Sequence, residues 1–107
     1  MIFAHKSVLL NECIEALNVR QDGIYVDCTA GGGGHSSKIL ERLTSGLLVD
    51  IDKDIEALNV CKQRLGEKNV KYAHADFKDL DKVLTELQID GVDGILADLG
   101  VSSYQID

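Results

Sequence analysis

The chain has 107 residues, 45% of them hydrophobic and 27% charged, with ten Gly, no Pro and no Trp. This length and apolar share fit one folded domain, and they exclude wholesale disorder, collagen-like repeats and low-complexity sequence. The formal charge of −7 argues against this chain alone gripping a nucleic-acid backbone, for which a basic patch is expected.

Hydrophobic periodicity divides the chain in order. A first helix is expected from Ser7 to about Leu17, with Leu10, Cys13, Ile14 and Leu17 on one face. Four short apolar runs follow at 24–28, 47–51, 70–74 and 92–97, each bounded by Gly, Asp or Asn. Runs of this kind read as buried strands. Helical patterns lie between them at 36–43, 54–65 and 77–87, with apolar residues spaced by three or four. Asp54 suits the cap of the second of these. The strands start about 23 residues apart but share only the β-then-α rhythm, so a solenoid is not implied. That rhythm predicts an α/β fold: a Rossmann-like, doubly wound parallel sheet of about four strands with flanking helices. No linker interrupts it, so residues 1–107 read as a single domain. A doubly wound sheet usually continues beyond four strands, so the end at Asp107 reads either as an interruption of the sheet or as the frayed tail of a short chain.

The charge is unevenly spread. Residues 1–75 hold ten acids and nine bases, whereas residues 76–107 hold eight acids against Lys78 and Lys82. A solvated acidic surface and a site for a cationic ligand both fit. Cys13, Cys28 and Cys61 form no C-x-x-C pair, so a reducing, cytoplasmic setting is expected rather than a disulfide framework. His5, His35 and His74 are scattered without zinc spacing, and no metal site is expected. The start, MIFAHKSVLL, does not read as a signal peptide, and no apolar stretch suits a membrane span.

The strongest local signal is Tyr25-Val26-Asp27-Cys28-Thr29-Ala30-Gly31-Gly32-Gly33-Gly34-His35-Ser36. A buried strand runs through four glycines into a helix. Missing Cβ atoms let a ligand approach the backbone, and the helix start offers free N–H groups. In a doubly wound sheet this turn lines the ligand crevice. The dinucleotide pattern G-x-G-x-x-G is half met, because Ser36 or Ser37 stands at the third glycine. The phosphate loop G-x-x-x-x-G-K-[ST] is absent.

Asp52 lies 18 residues after Gly34 at a strand end, where a carboxylate can accept hydrogen bonds from adenosine ribose hydroxyls. Both NAD and S-adenosyl-L-methionine carry that ribose. Asp50 is expected on the same side of the strand, with no evident partner. Phe77, after the third strand, can contact an adenine face or pack in the core. Asp98, Ser102, Ser103 and Gln105 follow the fourth strand, at the expected place of the second reactant. There Asp98 would suit a sulfonium cation, and the others offer hydrogen bonds or turn chemistry.

Four segments carry a family resemblance. They are His5-x-x-Val8-Leu9-Leu10-x-Glu12, Val26-Asp27-Cys28-Thr29-x-Gly31-Gly32-Gly33-Gly34-His35-Ser36, Ile51-Asp52-Lys53-Asp54, and Asp93-Gly94-Ile95-Leu96-Ala97-Asp98-Leu99-Gly100-Val101-Ser102-Ser103-x-Gln105-x-Asp107. In this order they closely resemble the bacterial S-adenosylmethionine-dependent 16S rRNA cytosine N(4)-methyltransferases, across essentially the whole chain. The resemblance implies a class I methyltransferase fold, with an inserted helical domain and the rest of the sheet after Asp107. It also implies that Gly33, Gly34 and His35 contact the methyl donor. Asp52 would hold the ribose, Phe77 would flank the adenine, and Asp98 and Gln105 would complete the pocket. Two residues depart from the family pattern: Tyr104 stands where Pro is usual, and Asp50 where a small residue is usual.

The implied reaction is methyl transfer to the exocyclic N(4) amine of a cytosine in 16S rRNA of the small ribosomal subunit. That amine's lone pair is delocalised into the ring, so the site must orient it and accept a hydrogen bond from its N–H. Asp98 or nearby carbonyls would accept, with Ser102 and Ser103 assisting. The RNA-binding charge is expected beyond Asp107, so the 107-residue chain alone is expected to be inactive. It could instead be a non-catalytic adenosine-cofactor-binding fragment, and an NAD-dependent oxidoreductase is the competing enzyme reading. An exposed sheet edge could pair two copies of the chain.

Overall fold

A computed structural model describes residues 10–28, 34–97 and 100–105 of the chain. Helix α1 (Leu10–Leu17) precedes strand β1 (Ile24–Asp27), helix α2 (Gly34–Arg42) and strand β2 (Leu47–Asp52). Helix α3 (Ile55–Leu65), strand β3 (Val70–His74), a 3-10 turn (Phe77–Asp79) and helix α4 (Leu80–Glu86) follow. Strands β4 (Gly91–Ala97) and β5 (Gly100–Gln105) complete the sheet. Its order is β3-β2-β1-β4-β5. The first four strands are parallel, as the alternating rhythm predicts, and β5 pairs antiparallel to β4.

Two apolar layers cover the sheet. On one face Tyr25, Leu48 and Leu96 pack with Ile14 and Leu17 of α1 and Ile39 and Leu43 of α2. On the other, Val26, Val49, Ile51 and Ile95 pack with Leu80, Val83 and Leu84 of α4. Each fully buried aliphatic side chain contributes about 1.5–3 kcal/mol through removal from water. Adjacent strand residues point to opposite faces, which is why these runs are apolar throughout. The chain moves outward from β1 to β3, then returns to place β4 on the other side of β1. The crevice of a doubly wound sheet opens at that reversal, beyond the carboxyl ends of the strands.

Several boundaries differ from the sequence expectation. Helix α2 starts at Gly34, two residues early, so the last glycine belongs to the helix. The expected 77–87 helix divides because the Asp76 side chain accepts from Lys78 N–H and tightens the entry into a 3-10 turn. Helix α3 is capped by Asp54, which accepts from Glu56 N–H at 2.9 Å. Ser7–Leu9 of the expected first helix lie outside the described residues.

A fifth, antiparallel strand adds to the four parallel strands expected. Segment 100–105 reads from sequence as crevice polar groups, but it pairs the edge of β4 that β1 leaves open. Unpaired strand edges favour such additions. A bulge between Val92 and Ile95 places Asp93 and Gly94 opposite Ser103. Asp93 there accepts from Ile24 N–H and from the Arg20 guanidinium, both at 2.8 Å, fixing the start of β1. The edge strands of the described sheet are β3 and β5. Among the described residues no helix is long and apolar enough to cross a membrane.

The turn between α1 and β1 is fastened by one buried phenol. The Tyr25 hydroxyl accepts from Arg20 N–H at 2.7 Å and donates to Asn18 carbonyl at 3.4 Å. Asn18 is left-handed, with φ of 52°. Tyr25→Phe leaves both backbone groups short of a partner. It should lower stability by about 1–2 kcal/mol, read as a drop in melting temperature by circular dichroism.

Candidate functional site

Three strand ends converge on the crevice. Beyond Asp27, Cys28 N–H donates to Leu96 carbonyl at 2.7 Å, so β1 stays bound to β4 up to the glycine turn. Beyond His74, Ala75 N–H donates to Asp52 carbonyl at 3.1 Å. This extra rung brings residues 75–77 alongside Asp52. His74 Nε2 lies 3.0 Å from Lys53 carbonyl and ties the two connections together.

Cys28, Ile51, Asp52, Lys53, Ala75 and Phe77, together with Asp76, line a cleft of about 150 Å³ there. Asp52 is half-buried. Its Oδ1 accepts from Asp54 N–H at 2.8 Å, and among the described residues its Oδ2 takes no hydrogen bond. The second oxygen is therefore available to a ligand hydroxyl. Phe77 is 48% exposed, so it is not a core residue but presents its ring at the cleft. A Cβ built on Gly34 would meet nothing within 4 Å, so open space lies above the start of α2. His35 follows, half-buried, in the same first turn. An acceptor for a ribose, a ring for a base and a bare helix start are the parts an adenosine cofactor requires.

A larger groove of about 450 Å³ lies along the open edge of β3, between Tyr72–Ala75 and Asp79, Lys82, Val83, Glu86 and Leu87 of the α4 side. Size alone would favour it. Its lining holds no carboxylate at a strand end, whereas Asp52 of the smaller cleft ends β2, so the chemistry favours the smaller cleft.

The expected site residues do not all gather there. Gly34, His35, Asp52 and Phe77 stand at the carboxyl ends of the strands. Gly33 and Asp98 lie outside the described residues, each next to a described residue at that end, Gly34 and Ala97. The other three lie on β5. Antiparallel pairing places Ser102 level with Ile95 and Gln105 level with Gly91, at the amino end of β4. Gln105 is thus about 20 Å along the strand from the crevice, at 3.3 Å per residue. Ser103 lies between them, opposite the bulge.

Sequence reasoning missed a buried acid pair behind the turn. Asp27 and Asp50 are register partners in β1 and β2 and are 2% and 3% exposed. The Ser36 hydroxyl oxygen, fully buried in α2, lies 2.6 Å from Asp27 Oδ2 and 3.0 Å from Asp50 Oδ2. The signal was present: the offset of 23 between strand starts Ile24 and Leu47 carries Asp27 onto Asp50. Burial, and then the Asp27 charge, push the Asp50 carboxyl up to about 6, against hydrogen bonds from Ser36 and Cys61. Burial, reinforced by Asp50, holds the Cys61 thiol up to about 12. The same causes, in the same order, raise Tyr72 to about 12, and its hydroxyl donates to Gly66 carbonyl at 2.6 Å. Among the described residues no cluster of His, Cys, Asp and Glu could hold a metal ion.

Comparison with known proteins gives a concordant result. The family model described as the MraW methylase family matches residues 2–107. A protein of Clostridium botulinum (strain Hall) named ribosomal RNA small subunit methyltransferase H is 55% identical over 109 aligned positions, covering 100% of this chain and 35% of that protein. The chain thus spans about a third of the length of the curated relatives it matches. Among solved structures, TrmN from Thermus thermophilus superposes with a TM-score of 0.69 at 20% identity, over 84% of this chain and 27% of that one. A SAM-dependent O-methyltransferase from Thermotoga maritima gives 0.68 at 14% identity, over 91% and 36%. At such identities these two superpositions establish the class I methyltransferase fold.

Proposed function

Because the chain belongs to the MraW methylase family, we propose that it is the S-adenosylmethionine-binding portion of a methyltransferase acting on cytosine N(4) in 16S rRNA. The observation that carries the cofactor assignment is the unspent Asp52 oxygen, which shares one cleft with the exposed Phe77 ring and with Cys28 at the entry to the glycine turn. The 55% identity to a ribosomal RNA small subunit methyltransferase supports the substrate class.

Bound S-adenosylmethionine supplies an electrophilic methyl group on a sulfonium centre. The chain's own residues hold and orient it. Asp52 accepts from the ribose hydroxyls, as strand-end acids do in doubly wound sheets. Phe77 covers one face of the adenine. Gly33, Gly34 and His35 would admit the methionine end near the start of α2, where backbone N–H groups have no intrahelical partner. Asp98, which follows Ala97 of β4 in sequence, would accept the N–H of the target amine and orient it. Asp98→Asn in the whole protein should therefore reduce turnover. Ser102, level with Ile95 and two positions from the carboxyl end of β4, would assist as a hydrogen-bonding group. The cytosine must be unstacked to reach this pocket. The RNA-gripping surface belongs to the remaining two-thirds of the protein, which fits the charge of −7 here.

The test is nucleoside analysis of 16S rRNA after incubating small ribosomal subunits with labelled methyl donor and the whole protein. N4-methylcytidine should form with the whole protein and not with the 107-residue chain. A methylated adenosine or guanosine, or transfer by the chain alone, would overturn the proposal.

A further inference from the structure

We infer that Asp27, Ser36 and Asp50 form a one-proton clamp across the glycine turn, in which a carboxylate and a carboxylic acid share the Ser36 hydroxyl and hold the end of β1 against the start of α2. Asp27 is the last residue of β1, and Ser36 is the third residue of α2. Their contact at 2.6 Å closes the segment that contains all four consecutive glycines. Asp50 braces this contact from β2 at 3.0 Å.

A hydrogen count requires the proton. A serine hydroxyl donates one hydrogen, yet its oxygen lies within bonding distance of two carboxyl oxygens. The second contact is satisfied when one carboxyl is protonated and donates to Ser36 Oγ. Two ionised carboxylates on neighbouring strands, about 4.8 Å apart and out of water, would also repel each other. One bound proton removes both difficulties. Asp50 is the holder that the surroundings favour. Among the described residues, those facing it are Asp27 from β1, Ser36 from α2, Cys61 from α3 and Tyr72 from β3, with Asp52 further along β2. None of these groups brings a positive charge, and the Asp50 value near 6 reflects that.

The sign of the pH effect follows. The folded-state value, about 6, lies above the ordinary 3.8. The stabilisation is therefore complete below about pH 4 and is lost as pH rises through about 6. Above that, repulsion between the two acids loosens the two ends of the turn. Asp50 and Ser36 are thus positioning residues for the turn, and their effect on the methyl donor rests on the proposed function.

Thermal melting of the chain and of Asp50→Asn, from about pH 4.5 to about pH 8, tests the clamp. The amide keeps the shape and donates to Ser36 without titrating. The variant should gain on the unmodified chain as pH rises, melting several degrees higher above about pH 6. A difference that does not change with pH would overturn the clamp. Should the variant fail to fold, the aspartate Cγ resonances of the unmodified chain decide. One should titrate near 6, and midpoints all below about 4.5 would overturn the proposal. Calorimetry with S-adenosylmethionine tests the positioning role. Affinity of the unmodified chain should fall several-fold above about pH 6 while that of Asp50→Asn holds. Equal pH profiles in the two would contradict it. If neither binds at any pH while the melting difference titrates, the cofactor assignment fails and the clamp stands.

Discussion

Replacing Asp52 with alanine is expected to weaken S-adenosylmethionine binding by about 10- to 150-fold, the loss of one charge-assisted hydrogen bond worth about 1.5–3 kcal/mol. The Asp52 Oδ2 atom takes no hydrogen bond among the described residues, so a ribose hydroxyl gains it without displacing a protein donor. Oδ1 already holds Asp54 N–H at the entry to α3. That bond is exposed, and water replaces it in the alanine variant, so the fold should survive. Asp52→Asn keeps one acceptor oxygen and should lose less affinity than the alanine. Asp93→Asn removes an acid at the opposite end of the sheet and should leave binding unchanged. Titration calorimetry on the three variants checks the order. Unchanged affinity in Asp52→Ala would remove this carboxylate from the site.

The second large effect concerns stability and lies far from the cleft. A Cβ on Gly46 would stand 2.2 Å from the Gly23 carbonyl oxygen and 2.9 Å from Leu43 Cδ2. The first neighbour is backbone and cannot swing aside. It is also already engaged, because Leu47 N–H donates to Gly23 carbonyl at 3.0 Å where β1 and β2 first pair. The corner is further fixed by Gln21 carbonyl, which accepts from Thr44, Ser45 and Gly46 N–H. Gly46→Ala must push these segments apart and tear the first rungs of the central strand pair. Overpacking of this kind costs about 1–3 kcal/mol. At about 4–8 °C per kcal/mol for a domain of this size, the melting temperature should fall by about 5–20 °C. By contrast, Gly34→Ala meets open space and should leave stability nearly unchanged while obstructing the cofactor.

The parallel core was legible because its signal is local. A strand buried on both faces must be apolar throughout, and four such runs at a regular spacing leave few alternatives. The helices between them showed one apolar face each, and Asp54 announced its helix by residue type alone. Strand β5 was not legible for the opposite reason. Val101 and Tyr104 suit a strand, but the deciding partner is the open edge of β4, a non-local fact. Once that pairing forms, it sets Ser102 level with Ile95 and Gln105 level with Gly91.

The candidate site divides along the same line. Asp52 could be read because a strand-end acid after a glycine turn has a local meaning. Phe77 could not be decided from sequence, since core and cleft phenylalanines look alike there; its 48% exposure settles against the core. Asp50 was visible as an anomaly, a charge in a covered strand. Its explanation needed three elements brought together: Asp27 by strand register, Ser36 by a helix and Cys61 by another. Sequence spacing reaches the first of these and not the other two.

The crevice at the carboxyl ends of β1 and β2 is the proposed cofactor site. Amide resonances of the 107-residue chain, followed during titration with S-adenosylhomocysteine and separately with NAD, test this residue by residue. The product analogue should shift Gly34, His35, Asp52, Lys53, Asp76 and Phe77, and NAD should leave them in place. Shifts confined to the β3-edge groove around Ala73, Lys82 and Glu86, or a response to NAD at Asp52 in place of the methyl-donor analogue, would contradict it.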